Sequence, residues 1–165
     1  MINNWITNNK MKKLLEYIST NLNEEEIKLN VQQLARLVSP PLKKVKDCII
    51  ISEKNINILE ENFDNAIKMY MDKTGYEANN TETRIDCYFE DKISMVTGTQ
   101  IALIVIEVWK LKLKQIEPDS KFCIILCSDE ECVEIRFHKV RDEENSWLLD
   151  NLEEYEDGAV GYVIV

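Results

Sequence analysis

The sequence predicts an α+β domain: a helical N-terminal layer packed with a small mixed or antiparallel sheet of about four strands, around one buried central helix. Three observations lead there. Apolar residues recur at helical spacing through the first 75 positions, segments beyond residue 83 alternate or run continuously apolar as strands do, and from residue 84 the order reads strand, helix, strand, strand, helix, strand. At 165 residues the chain is long enough to bury its own core. Residues 1–165 are read as a single domain, with a possible subdivision into a helical part at 1–76 and an α/β part at 83–165.

From Lys10 to Asn21, Met11, Leu14, Leu15 and Ile18 share one helical face. Asn23 followed by three glutamates reads as the cap of a second helix with Ile27, Val31, Leu34 and Val38 along its stripe, and the Ser-Pro-Pro at 39–41 stops it. Lys43 to Ile51 is open between a short helix and a strand. Ser52 begins a longer helix with Ile56, Leu59, Phe63, Ile67 and Tyr70 or Met71 inward, ending near Gly75. The stretch GYEANNTET then reads as a loop and as the candidate boundary.

RIDCYF alternates, with Ile85, Cys87 and Phe89 on one face, and is predicted to be a strand. Thr99 to Ile116 contains the strand-like WKLKLK but is too long and continuous for a strand. At helical period Gln100, Glu107, Lys110 and Lys114 share one face, so a largely buried helix is expected. Pro118 and Asp119 end it, and FCIILC has the unbroken apolarity of a strand covered on both faces. SDEE turns into CVEIRFHKV, with Val133, Ile135 and Phe137 on one side and Glu134, Arg136 and His138 on the other, exposed side. Ser146 caps a short acidic helix with Leu148, Leu149, Leu152 and Tyr155 inward, and AVGYVIV forms the last strand.

The composition, 45% hydrophobic and 30% charged with four Gly and three Pro, is that of a folded soluble protein. No apolar run suits a signal peptide or a membrane span, so a cytoplasmic location and no membrane partner are expected. The five cysteines, an odd number, show no disulfide spacing, and Cys123, Cys127 and Cys132, with no convincing fourth ligand for zinc, read as core residues. His138 is the sole histidine, no phosphate-binding or nucleophile-elbow motif is present, and no cofactor or enzymatic activity is expected.

Charge is the informative feature. The net charge is −10, and residues 117–165 alone sum to −10, with four Lys/Arg against fourteen Asp/Glu. The first 116 residues are neutral overall. Such a surface repels nucleic acid and attracts a basic partner. The candidate partner-binding residues are Asp129, Glu130 and Glu131 at the hairpin turn, Glu134 on its strand, Asp142, Glu143 and Glu144 before the acidic helix, and Trp147, Asp150, Glu153, Glu154 and Asp157 on it.

The C-terminal half, with KFCIILCSDEECVEIRFHKVR as a hairpin followed by SWLLDNLEEYEDGAVGYVIV, resembles small immunity proteins of bacterial toxin–immunity systems, including those of contact-dependent growth inhibition. The resemblance covers roughly residues 84–165 and implies a cytosolic, non-enzymatic protein that blocks one cognate toxin C-terminal domain, often a nuclease with a basic active site. Two alternatives stay open. One is an adaptor or regulatory protein that self-associates through its N-terminal helices, and the other is a carboxylate- and metal-dependent enzyme. The oligomeric state is left open.

Overall fold

The computed structural model describes residues 4–21, 25–28 and 30–165. These form an α+β fold with one five-stranded sheet, one separate two-stranded hairpin and six α-helices. The first strand, β1 (Ile6–Thr7), is followed by α1 (Asn9–Thr20), α2 (Val31–Val38), the hairpin β2 (Leu42–Val45) and β3 (Cys48–Ile51), and three short helices, α3 (Ile56–Glu61), α4 (Phe63–Tyr70) and α5 (Lys73–Asn80). Then come β4 (Thr83–Arg84), α6 (Met95–Ile116), β5 (Phe122–Ser128), β6 (Val133–Lys139) and β7 (Ala159–Ile164). The large sheet is antiparallel throughout, in the order β1-β7-β5-β6-β4.

The central helix is where the sequence places it. Buried Val105, Ile106, Trp109 and Leu113 of α6 pack on Phe122, Ile124 and Leu126 of β5 and Val133, Ile135 and Phe137 of β6. Trp109 and Phe137 meet edge to face at 5.7 Å, an arrangement the ring quadrupoles favour. Gly98 lets the helix start approach β6, since a Cβ there would lie 2.9 Å from the Val133 side chain.

Asn8 explains how α1 is anchored. Its Oδ1 accepts the Met11 N–H at 2.9 Å, capping α1, and the Val160 N–H at 3.1 Å, while its amide donates to the Gly158 carbonyl at 2.9 Å. One buried side chain therefore ties the helix start to β7.

Several expectations are corrected. Asn23 lies outside the described residues, residues 25–28 are not helical, and α2 starts only at Val31, because Asn30 takes the cap by accepting the Gln32 N–H at 2.9 Å. Val31 is consequently exposed and not in the core stripe. Lys43 to Ile51 is the β2–β3 hairpin, turning at Lys46, whose φ is +52°. The long helix from Ser52 breaks into α3, α4 and α5, with Asn55 and Asp72 capping the first and last by side chain. GYEANNTET is mostly helix: Thr74 to Ala78 are buried in α5, which packs against both β3 and β6. In RIDCYF only Arg84 remains in strand, and Asp86–Tyr88 is a 3-10 turn with Cys87 exposed.

Glu77 holds the hairpin and the large sheet together. It has no exposed surface, and its carboxylate accepts the Ile49 N–H of β3, the Lys139 N–H of β6 and the Arg141 guanidinium, each at 2.7 Å. Arg141 also reaches the Asp47 carbonyl at 3.0 Å. Nearby, Lys44 on β2 and Lys139 on β6 both pair with Glu117.

The acidic segment is not the expected helix. Residues 147–151 bend across the second face of the sheet and only Leu152–Glu154 form a 3-10 turn. Leu148 and Leu152 pack on Cys123, Ile125 and Val160, whereas Leu149 is exposed. His138, expected to be solvated, is buried to 4% exposure, beside Thr74, Glu144 and Ser146.

Candidate functional site

The β5–β6 register divides the candidate acids. Ser128 faces Val133 at one end of the ladder and Phe122 faces Lys139 at the other. Asp129, Glu130 and Glu131 therefore sit at the turn end, and Asp142, Glu143 and Glu144 at the opposite end. Several of them are tied up inside the fold. Asp129 Oδ1 accepts the N–H groups of Glu131 and Cys132 at 2.8 Å each, which fixes the turn. Glu134 is held by Arg136, with Nε at 2.8 Å, and only 15% of its side chain is exposed. Burial raises its pKa and the Arg136 bonds oppose that rise.

Glu144 accepts the Thr74 N–H and hydroxyl, both at 2.8 Å, at the first turn of α5. Burial pushes its pKa up, but the Thr74 bonds and Arg141 outweigh it and the net shift is downward. Glu153 accepts the Asn9 N–H at 2.9 Å, at the start of α1. Trp147 is partly exposed and stacks over the Arg136 guanidinium, 5.4 Å from the ring centre. Asp142, Glu143, Asp150, Glu154 and Asp157 are exposed. The twelve residues thus do not form one face.

At the turn end the charge is concentrated by residues from another segment. β4 pairs with β6, and the Ile85 N–H continues that ladder to the Val133 carbonyl at 2.8 Å, so the chain from 86 to 95 lies beside the turn. Asp86, Glu90 and Asp91 join Asp129, Glu130 and Glu131 around a cavity of about 300 Å³, with Phe89, Ile93, Met95 and Val133 also lining it. Lys92 is the one basic residue in that lining, and Lys28 pairs with Asp91 at 3.7 Å. Beside it lies a second cavity, of about 400 Å³, lined by Leu14, Met95 and Ala159 with Lys10, Lys13 and Asp157. Met95, Asp129 and Glu130 belong to both.

The start of α6 closes this region from below. Ser94 caps the helix by accepting the Thr97 N–H, and the Glu25 carboxylate accepts the Ser94 hydroxyl at 2.7 Å and also bonds the Thr97 hydroxyl. The sequence carries only a weak signal for Asp86, Glu90 and Asp91, since they stand in residues 51–116, whose net charge is −3, and they reach the turn through strand pairing.

His138 lines a cavity of about 250 Å³, bonds the Lys139 carbonyl through Nδ1 at 3.0 Å, and has its pKa lowered by burial. Burial raises the Cys123 and Cys127 thiols to about 12, far from the thiolate a nucleophile needs. Among the described residues no three His, Cys, Asp or Glu side chains are grouped to hold a metal ion. No described helix is long and apolar enough to cross a membrane.

No curated protein and no solved structure matches this chain. A family model does match, over residues 6–164, and the chain therefore belongs to the Uncharacterized protein PM0498 family.

Proposed function

We propose that this is a cytoplasmic, non-enzymatic immunity protein that binds a cognate toxin domain, a basic nuclease, and neutralises it through the acidic hairpin-turn end. The observation that carries the reading is the convergence of Asp86, Glu90, Asp91, Asp129, Glu130 and Glu131 on one concave, partly apolar site. Asp86 pairs with Arg84 at 3.1 Å and Asp91 with Lys28 at 3.7 Å, which offsets part of the repulsion among the six. The remaining excess of negative charge costs stability at low salt and is relieved by a cationic partner. A nuclease presents Lys and Arg that otherwise hold phosphate, and carboxylates satisfy those groups with charge-assisted hydrogen bonds. The floor of Phe89, Ile93 and Met95 supplies the apolar contact that charge alone does not.

The test is coexpression with the product of the neighbouring upstream gene, with growth and affinity capture as readouts. Rescue of growth together with a stable complex supports the reading; toxicity unrelieved by this protein, with no complex, refutes it. A second reading is favoured by the exposure of Val31, Ile58, Met69 and Met71 on and beside α2, α3 and α4: an adaptor that self-associates through its N-terminal helices. Sedimentation of the purified chain separates the two, since only the adaptor reading requires a concentration-dependent oligomer sensitive to Met69→Lys.

A further inference from the structure

We infer that the two adjoining cavities at the turn end act as one bipartite groove that takes a linear, amphipathic segment of the partner, with a Lys or Arg side chain close in sequence to a large apolar one. This inference rests on the toxin-neutralising reading and adds the form of the epitope. The two halves differ in chemistry while sharing a wall. The smaller half is rimmed by carboxylates from two segments and has one lysine in its lining. The larger is walled by Leu14, Met95 and Ala159, and the lysines that line it, Lys10 and Lys13, are matched there by Asp157 and the shared Asp129 and Glu130.

Their volumes, about 300 and 400 Å³, are each of a size to hold one or two side chains, not a folded element. Met95, Asp129 and Glu130 border both, so a side chain seated in one lies next to the other. Charge complementarity selects the occupant. A cation belongs in the carboxylate half; in the other, Lys10 and Lys13 are offset by Asp129, Glu130 and Asp157, and the wall of Leu14, Met95 and Ala159 favours an uncharged apolar side chain. A purely basic segment fits half the groove, and a purely apolar one leaves the carboxylates unanswered.

The experiment is selection of random displayed dodecapeptides on the full chain, followed by titration of the enriched peptide, made synthetically. The expected consensus places a basic residue near a large apolar one. Met95→Glu is the discriminating variant. It adds an acid to the first turn of α6, where a negative charge suits the helix dipole, but removes the apolar wall common to both halves. The inference predicts that the peptide binds this variant roughly tenfold to a hundredfold more weakly, although the added charge is attractive. The Met95 methyl resonance of the unaltered protein should also shift on binding, a readout independent of how the variant folds.

Binding to Met95→Glu that is equal or tighter overturns the inference, as does a consensus lacking either chemistry, an unmoved Met95 methyl, or no enrichment. Capture of the intact toxin by Glu90→Lys/Glu131→Lys separates this from the parent reading. Lost capture with no enriched peptide means the acidic end binds a folded surface and only the linear epitope fails. Undiminished capture means the parent reading fails.

Discussion

Replacing Glu77 by alanine should uncouple the β2–β3 hairpin from the large sheet. The carboxylate is fully buried and accepts three hydrogen bonds at 2.7 Å, from Ile49 N–H, Lys139 N–H and Arg141. Removing it leaves two backbone donors unpaired, at about 1–3 kcal/mol each. It also strips the closest anion from Arg141, whose side chain is 10% exposed. Breaking a buried pair from one side costs about 3–5 kcal/mol, a large share of a typical domain stability of about 5–15 kcal/mol. The broken pair alone should lower the melting temperature of a chain of this length by about 6–20 °C, and the unpaired donors add to that fall. Urea and thermal unfolding followed by circular dichroism measure it directly. Arg141→Met in the same background supplies the control, because the double variant should be less destabilised than the sum of the singles. A melting temperature within about 2 °C of the unaltered protein, or strict additivity, would refute the view that Glu77 is the electrostatic tie between hairpin and sheet.

Acid should weaken the same junction. Burial pushes the Glu117 carboxyl up, but bonds from Lys139, Lys44 and Ser120 outweigh it and hold the pKa at about 2 against an ordinary 4.5. The folded pKa is the lower one, so this stabilisation is complete above about pH 4.5 and lost as pH falls toward 2, on the order of 3 kcal/mol at about 1.4 kcal/mol per pH unit. Urea midpoints at stepped pH should show the loss, and Glu117→Gln should flatten it. His138 acts in a higher window: burial lowers its folded pKa, so below about pH 6.5 the unfolded chain takes up a proton that the fold resists, and stability declines. His138→Phe should remove that first decline and leave the lower one. Asn8→Ala should cost about 2–4 kcal/mol, from the lost α1 cap plus an unpaired Val160 N–H, read as early loss of amide protection in α1 and β7.

The parts legible in the sequence are those where periodicity is strong and unopposed. Met11, Leu14 and Leu15 define α1, the continuous FCIILC defines β5, and Val133, Ile135 and Phe137 define the core face of β6. Periodicity fails where short polar side chains compete for backbone groups. Asn30, Asn55 and Asp72 each cap a helix inside what reads as one longer run. The acidic segment also has helical apolar spacing, yet its five acids between Asp150 and Asp157 repel at neighbouring turns. Leu148 and Leu152 instead seat on the sheet from a bent chain. His138 is buried on that same face, where Thr74, Glu144 and Ser146 lie around it, although a strand alternating apolar and polar was expected to keep its second face in water. The turn-end site was half legible: Asp129, Glu130 and Glu131 show in the sequence, while Asp86, Glu90 and Asp91 arrive through the long-range β4–β6 pairing.

The central claim, that the acidic turn end binds a basic toxin, is tested most directly by titrating the cognate toxin domain with the unaltered protein and with Glu90→Lys/Glu131→Lys, at low and high salt. Both positions are exposed, so the fold should be unaffected. The account predicts tight, salt-sensitive association for the unaltered protein, and for the variant slower association, at least about a tenfold loss of affinity and loss of growth rescue. Equal affinity, an association rate indifferent to salt, and intact rescue by the variant would contradict it.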